Sequence, residues 1–219
     1  MGGVNSGKRA IAFFDGQNLY FAAKDAFGLE YSYPNYEPRR LAEPVCKRYE
    51  WTLIGIRFYT GVPALDKDPF WHEFWNNKLR NMQSSGIEVF RRELRYSEET
   101  TMLSGIEVQR KPIPKEKGID VRIALDLMMY FLEDRYDAGV IFSQDQDLSE
   151  AVADIQKLAE QKGKDIILAS AFPVGKGTKN SHGINGTIPI RTTKIEYAQC
   201  TDRRDYRPKI RRGTTPADL

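Results

Sequence analysis

Apolar runs that each pass directly into a helix-like segment restrict this chain more than any other feature. RAIAFFD (9–15) reads as a short buried strand ending in an acid, and GQNLYFAAKDAFG turns from it into a helix closed by Gly28. YSYPNYEP reads as a loop, and residues 38–50 as a helix with Pro38 near its start. WTLIGIRFYTG (51–61) is a second strand. DKDPFWHEFWNNKLRNMQSSG follows as an amphipathic helix with Phe70, Phe74, Lys78 and Leu79 at helical spacing, ended by Gly86. IEVFRREL (87–94) is a third strand, and a polar stretch to about Glu116 includes GIEVQRKPI, one strand of an excursion. The clearest helix is 117–136, with Asp120, Ala124, Leu127 and Phe131 on one stripe. AGVIFS, QDLSEAVADIQKLAEQKG and KDIILASAF complete the series as strand, helix and strand. Strands alternating with helices require crossover connections, which predicts an α/β fold with a parallel sheet.

The 219 residues suit one compact unit with decoration, and 41% hydrophobic residues suffice for its core. The expected organisation is a disordered start over 1–8, a domain over 9–172 and a C-terminal extension with a basic tail over 173–219. That extension contains one helix-like piece, TKIEYAQC. No apolar run reaches the roughly 18 residues that span a bilayer, and the polar first ten residues are not a secretory signal. MGGVNS fits the loose myristoylation pattern. Cys46 and Cys200 match no metal spacing and read as reduced thiols, so the expected setting is cytoplasmic, with no membrane. The net charge of +3 does not by itself point to nucleic acid. Its distribution says more, because Arg203, Arg204, Arg207, Lys209, Arg211 and Arg212 crowd the end.

In a parallel sheet the ligand crevice lies at the carboxyl ends of the strands. Asp15 follows Phe13-Phe14 at that edge, Asp145 and Asp147 follow Val140-Ile141-Phe142-Ser143 at the same edge, and Asp120 opens a helix. If the strands before Asp15 and Asp145 are neighbours, these carboxylates converge. Two of them about 5 Å apart repel by roughly 3 kcal/mol at an effective dielectric near 20. A cluster therefore needs a cation or retained protons, and all-oxygen donors favour Mg²⁺ or Mn²⁺ over zinc. Each acid also has an ordinary reading. Asp15 serves as a turn or cap residue, Asp145 or Asp147 caps the next helix, and Asp120 is a first-turn acid favoured by the helix dipole. Asp126, four residues after Arg122, reads as half of an ion pair on the helix flank.

FFDGQNLY, KGIDVRIALDL and FSQDQDLSEAV, in that order, resemble the three signature segments of the NYN domain, a branch of the PIN-like nucleases. RTTKIEYAQCTDRRDYRP resembles the tail of a bacterial subgroup of that family. The resemblance implies a Rossmann-like three-layer α/β/α fold around a mostly parallel central sheet, and a metal-dependent ribonuclease. Asp15 matches the first-strand acid, Asn18 its polar partner, and Asp120 the acid of the Lys-Gly-x-Asp segment. Asp145 and Asp147 match the paired acids after the fourth strand, and Ser143 the small hydroxyl residue before them. Gln144 departs from the glycine or asparagine that often stands there. The implied reaction, with Asp15, Asp120, Asp145 and Asp147 around Mg²⁺ or Mn²⁺, hydrolyses RNA to a 5′-phosphate and a 3′-hydroxyl. Lys117 is the candidate phosphate contact, and Arg203, Arg204 and Arg207 are candidates for the RNA backbone. A solvated lysine and a solubilising tail are the plain alternatives.

A different class uses the same residues: a non-catalytic RNA-binding or regulatory module that retains the acidic pocket. An aspartyl phosphatase would want a second acid at position 17, which is Gln. GKGTKNSHG lacks the spacing of a phosphate loop. A homodimer is compatible with the many apolar residues of 123–132, as is burial of that helix against the sheet.

Overall fold

A computed structural model describes residues 7–29, 35–97, 100–103, 106–109 and 113–208. The expectations for residues 1–6 and for Lys209, Arg211 and Arg212 fall outside the described residues. β1 (Arg9–Asp15) passes straight into α1 (Gly16–Phe27). α2 (Pro38–Arg48), β2 (Thr52–Val62), α3 (Pro69–Ser84) and β3 (Glu88–Glu93) follow. A small excursion then pairs β4 (Arg95–Ser97) with β7 (Ile113–Lys115) and β5 (Thr100–Leu103) with β6 (Ile106–Gln109), both antiparallel. The chain returns through α4 (Ile119–Leu132), β8 (Ala138–Phe142), a 3₁₀ turn at Gln146–Leu148, and α5 (Ser149–Gln161). It ends with β9 (Ile167–Pro173), β10 (Ile188–Thr192) and α6 (Lys194–Gln199).

The six long strands form one parallel sheet in the order β10-β9-β8-β1-β2-β3. The parallel sheet expected from the alternation, and the three-layer arrangement that the resemblance implied, are the ones observed. Burial on both faces explains why the central strands read as continuous apolar runs: every residue of β8 and all but the first of β1 are buried. On one face Phe14, Leu19, Leu41, Phe58 and Phe142 join one core cluster, with Phe14 stacked on Phe142 at 4.0 Å. On the other, Phe13, Ile123, Leu127, Ile141 and Ile155 form the second.

One reading of a single residue changes. Asp126 is no flank residue: it is buried and accepts from the Tyr59 hydroxyl at 2.8 Å, with Arg57 at 2.9 Å and Arg122 at 2.7 Å. A charge four residues away is consistent with both positions, and only the tertiary packing of β2 decides between them. Lys78 is likewise buried, beneath Tyr36 and Tyr206 and 4.0 Å from Asp202. No helix among the described residues is long and apolar enough to cross a membrane.

Candidate active site at the carboxyl edge of the sheet

The strand order reverses between β1 and β8: the chain builds outward through β2 and β3, then returns to lay β8 on the other side of β1. Such a switch point opens a crevice at the carboxyl ends, because the two flanking connections leave in opposite directions. β1 and β8 pair directly, with Phe14 opposite Phe142, so Asp15 and Ser143 emerge side by side. The adjacency that the sequence left conditional is therefore present.

Asp15 is buried, and both its oxygens are engaged. One accepts from the Asn18 backbone N–H at 3.1 Å, capping α1, and the other from the Ser143 hydroxyl at 3.2 Å. The ordinary cap reading is thus realised, in a side chain that also stands at the β1–β8 edge. Gly16 follows because β1 turns against β2: a Cβ there would meet Phe58 Cζ at 2.7 Å and the Tyr59 carbonyl oxygen at 2.8 Å. The Asn18 carboxamide oxygen accepts from the Gln144 N–H at 3.1 Å, and the Ser143 hydroxyl accepts from the Asp145 N–H at 3.1 Å. Asn18 and Ser143 thereby fix the backbone that carries Asp145. Asp145 itself caps the 3₁₀ turn by accepting from the Asp147 N–H at 3.1 Å. Gln144 has its own use: its side chain donates to the carbonyl oxygens of Asn180 and His182, both at 2.8 Å, and so pins the β9–β10 connection beside the crevice.

Burial pushes the Asp15 carboxyl up to about 6, opposed by its two hydrogen bonds and reinforced by the charges of Asp145 and Asp120. Glu116, which the sequence reading did not single out, behaves alike. Its carboxylate accepts from the Gly61 backbone N–H at the end of β2, and burial, then the charge of Asp15, then that of Asp120 push it up to about 7. The acids that act on one another are therefore Asp15, Glu116, Asp120 and Asp145. Asp147 is exposed and perturbs neither raised carboxyl. Asp120 lies in the first turn of α4, whose start is set by Gly118 at a φ of 74°. Lys117 is exposed just before it.

The basic residues divide. Arg204 is paired with Asp202 at 2.8 Å and Arg207 with Asp205 at 2.6 Å. Arg203 and Arg204 line a groove of about 510 Å³ with Arg39 and Arg40, on the flank made by α2 and the C-terminal segment. A second groove, of about 310 Å³, adjoins the acids and is lined by Asn18, Phe21, Asp25, Gln144, Thr178 and Lys179.

The donor set suits a hard divalent cation, since it offers carboxylate oxygens with no imidazole or thiolate among them. Two carboxyls are held above their ordinary range, chiefly by burial and further by the charges of neighbouring acids. As the side chains stand, no three Asp, Glu, His or Cys among the described residues form a ready ligand cluster. Glu116, Asp120 and Asp145 are the half-exposed members of the group.

A doubly wound parallel sheet with acids at its switch point defines a Rossmann-like α/β protein of the nuclease-like kind. The chain belongs to the NYN domain family, whose model matches residues 9–182. That family is consistent with the PIN-like superfamily and places the chain, at the level of class, among nuclease-like hydrolases. No curated protein matches. Among solved structures, a protein of unknown function from Vibrio parahaemolyticus RIMD 2210633 superposes with a TM-score of 0.51 at 16% identity, over 88% of this chain and 97% of that one, a likeness of fold. MurG of Acinetobacter baumannii aligns with a TM-score of 0.33 at 9% identity, over 84% of this chain and 45% of that one.

Proposed function

We propose that the protein is a ribonuclease that hydrolyses RNA phosphodiester bonds with Mg²⁺ or Mn²⁺ held by Asp15, Asp120 and Asp145. The observation that supports this most is the meeting of carboxylates from β1, from the β8 edge, from the start of α4 and from Glu116 at one switch point. A bound divalent cation supplies charge to neutralise a phosphoryl oxygen and to ease deprotonation of water. The chain's own groups do the rest. Ser143 and Asn18 orient Asp15 and the Asp145 backbone, and Glu116 is a fourth carboxylate, tied to the end of β2. Lys117 reaches for a phosphate of the scissile region, and Asp147 is reserved for an outer position. Arg203 is the tail residue best placed to meet RNA backbone, since Arg204 and Arg207 already face carboxylates.

The discriminating experiment is cleavage of labelled RNA with Mg²⁺ or Mn²⁺, with DNA and mononucleotides run in parallel. Asp15→Asn and Asp145→Asn are expected to lower the rate by at least about a hundredfold, more than loss of a supporting residue costs. A folded wild type that binds RNA and never cuts under either cation would establish the non-catalytic RNA-binding module instead.

A further inference from the structure

Every exposed residue of α4 is apolar: Val121, Leu125, Met129 and Leu132, at 55, 51, 48 and 54% exposure. The only acids and bases of this helix, Asp120, Arg122 and Asp126, are half-buried or buried. Other helices of this sheet are ordinary in this respect. α2 shows Arg40, Glu43 and Lys47 to solvent, and α5 shows Asp154, Lys157 and Glu160. The α4 strip is not a remnant of core packing either, because Ile119, Ile123, Leu127, Tyr130 and Phe131 already fill the face against the sheet. The strip is about 17 Å long at 1.5 Å per residue. Its half-exposed side chains leave on the order of 350 Å² of apolar surface, the size of patch that on a monomer usually serves binding.

The arrangement is also palindromic. A two-fold axis through positions 126–127, perpendicular to the helix, sets Val121 against Leu132 of a second copy and Leu125 against Met129. The same axis brings Lys117, exposed at one end of the strip, toward the second copy's Glu133, exposed at the other. A partner of unrelated sequence gives no reason for apolar and charged positions to mirror one another. A standard interface buries about 800 Å² per partner, somewhat over half of it apolar, so the strip supplies most of the apolar part and its charged ends the rim.

We infer that the protein forms a two-fold homodimer through antiparallel packing of α4 against α4 of a second copy. The inference does not depend on the hydrolase reading. It sets the two Asp120 residues about 20 Å apart along the helix axes, at opposite ends of the interface.

The test uses the full chain in sedimentation equilibrium. Wild type is expected to be a dimer at micromolar concentration. Leu125→Lys and Met129→Glu, each at an exposed position and each checked for an unchanged thermal melt, should raise the dissociation constant at least about thirtyfold. Mixing the two variants should restore a dimer, because in the proposed pairing the new lysine of one chain faces the new glutamate of the other, while the second Leu125–Met129 contact stays apolar. A monomeric wild type, a dimer indifferent to both substitutions, or a mixture that stays monomeric overturns the proposal.

Discussion

The Ser143 hydroxyl donates to Asp15 and accepts from the Asp145 N–H, so one small side chain ties the two acids of the β1–β8 edge together. Ser143→Ala leaves a buried carboxylate oxygen and a backbone N–H without these partners, and should cost about 1–3 kcal/mol in denaturant unfolding. It also removes a bond that favours the charged form of Asp15. The acid limb of the pH–rate profile for RNA cleavage should then move to higher pH than in wild type; an unmoved limb would mean that the Ser143 bond does not govern Asp15. At this scale the sequence was legible where one residue type has one job. Asp15 and Asp145 could be placed at the carboxyl edge from strand ends, and Asp120 from the start of its helix. Glu116 could not, because KEKG is indistinguishable from a solvated charge run until the Gly61 N–H at the end of β2 is seen to hold its carboxylate. The exposure of Asp147 was equally hidden: two residues beyond Asp145, it lies in the 3₁₀ turn that Asp145 caps.

Among elements, α3 carries a side chain that its periodicity marks as inward but whose chemistry argues outward. Lys78 lies beneath the segment 202–206, with Asp202 at 4.0 Å and the Tyr206 ring close by. Burial outweighs the pull of Asp202 and holds its ammonium down to about 8, against 10.5 for an ordinary lysine. Below pH 8 both folded and unfolded chains carry the proton, and the cost of burial is fully present. Between about 8 and 10.5 the folded chain has released a proton that the unfolded chain keeps. Stability owed to this residue therefore rises with pH, by up to about 1.4 kcal/mol per unit. Cys46 and Cys200, pushed up to about 11 by burial, act in the opposite sense above pH 9, so the comparison must be with a variant that shares them. Unfolding of wild type and Lys78→Met at several pH values should show their stability difference growing in wild type's favour across that window. A flat difference would put the Lys78 ammonium in water. β10 marks where element reading stops: only Ile190 and Thr192 of its five residues are buried, and Pro189 lies within it, so nothing local distinguishes an edge strand from a polar loop. The central strands were legible for the opposite reason, since burial on both faces leaves no polar position to blur them.

For the whole molecule, the cluster of acids sets a conflict between folding and cation binding that can be measured without any substrate. Asp15 is raised from 3.8 to about 6 chiefly by burial, so at neutral pH its ionised form costs the folded chain on the order of 3 kcal/mol. Asp15→Asn keeps the shape and removes the charge. Without divalent cation this variant should melt above wild type, by roughly 5–10 °C for a chain of this size. Mg²⁺ or Mn²⁺ should reverse the order of response. A cation that binds only the folded state adds about 2.7 kcal/mol at one hundred times its dissociation constant. Wild type should gain this and Asp15→Asn little of it, because the variant has lost both a donor and the charge that draws the ion in. Calorimetry of both proteins, in chelator and across a cation titration, reads the two effects separately. The first reports the cost of the buried Asp15 charge and the second whether a cation relieves it. Should Asp15→Asn melt no higher in chelator and respond to cation as wild type does, the acids at the β1–β8 edge would be neither strained nor a cation site. The raised carboxyl of Asp15 would then be a structural cap that the fold tolerates.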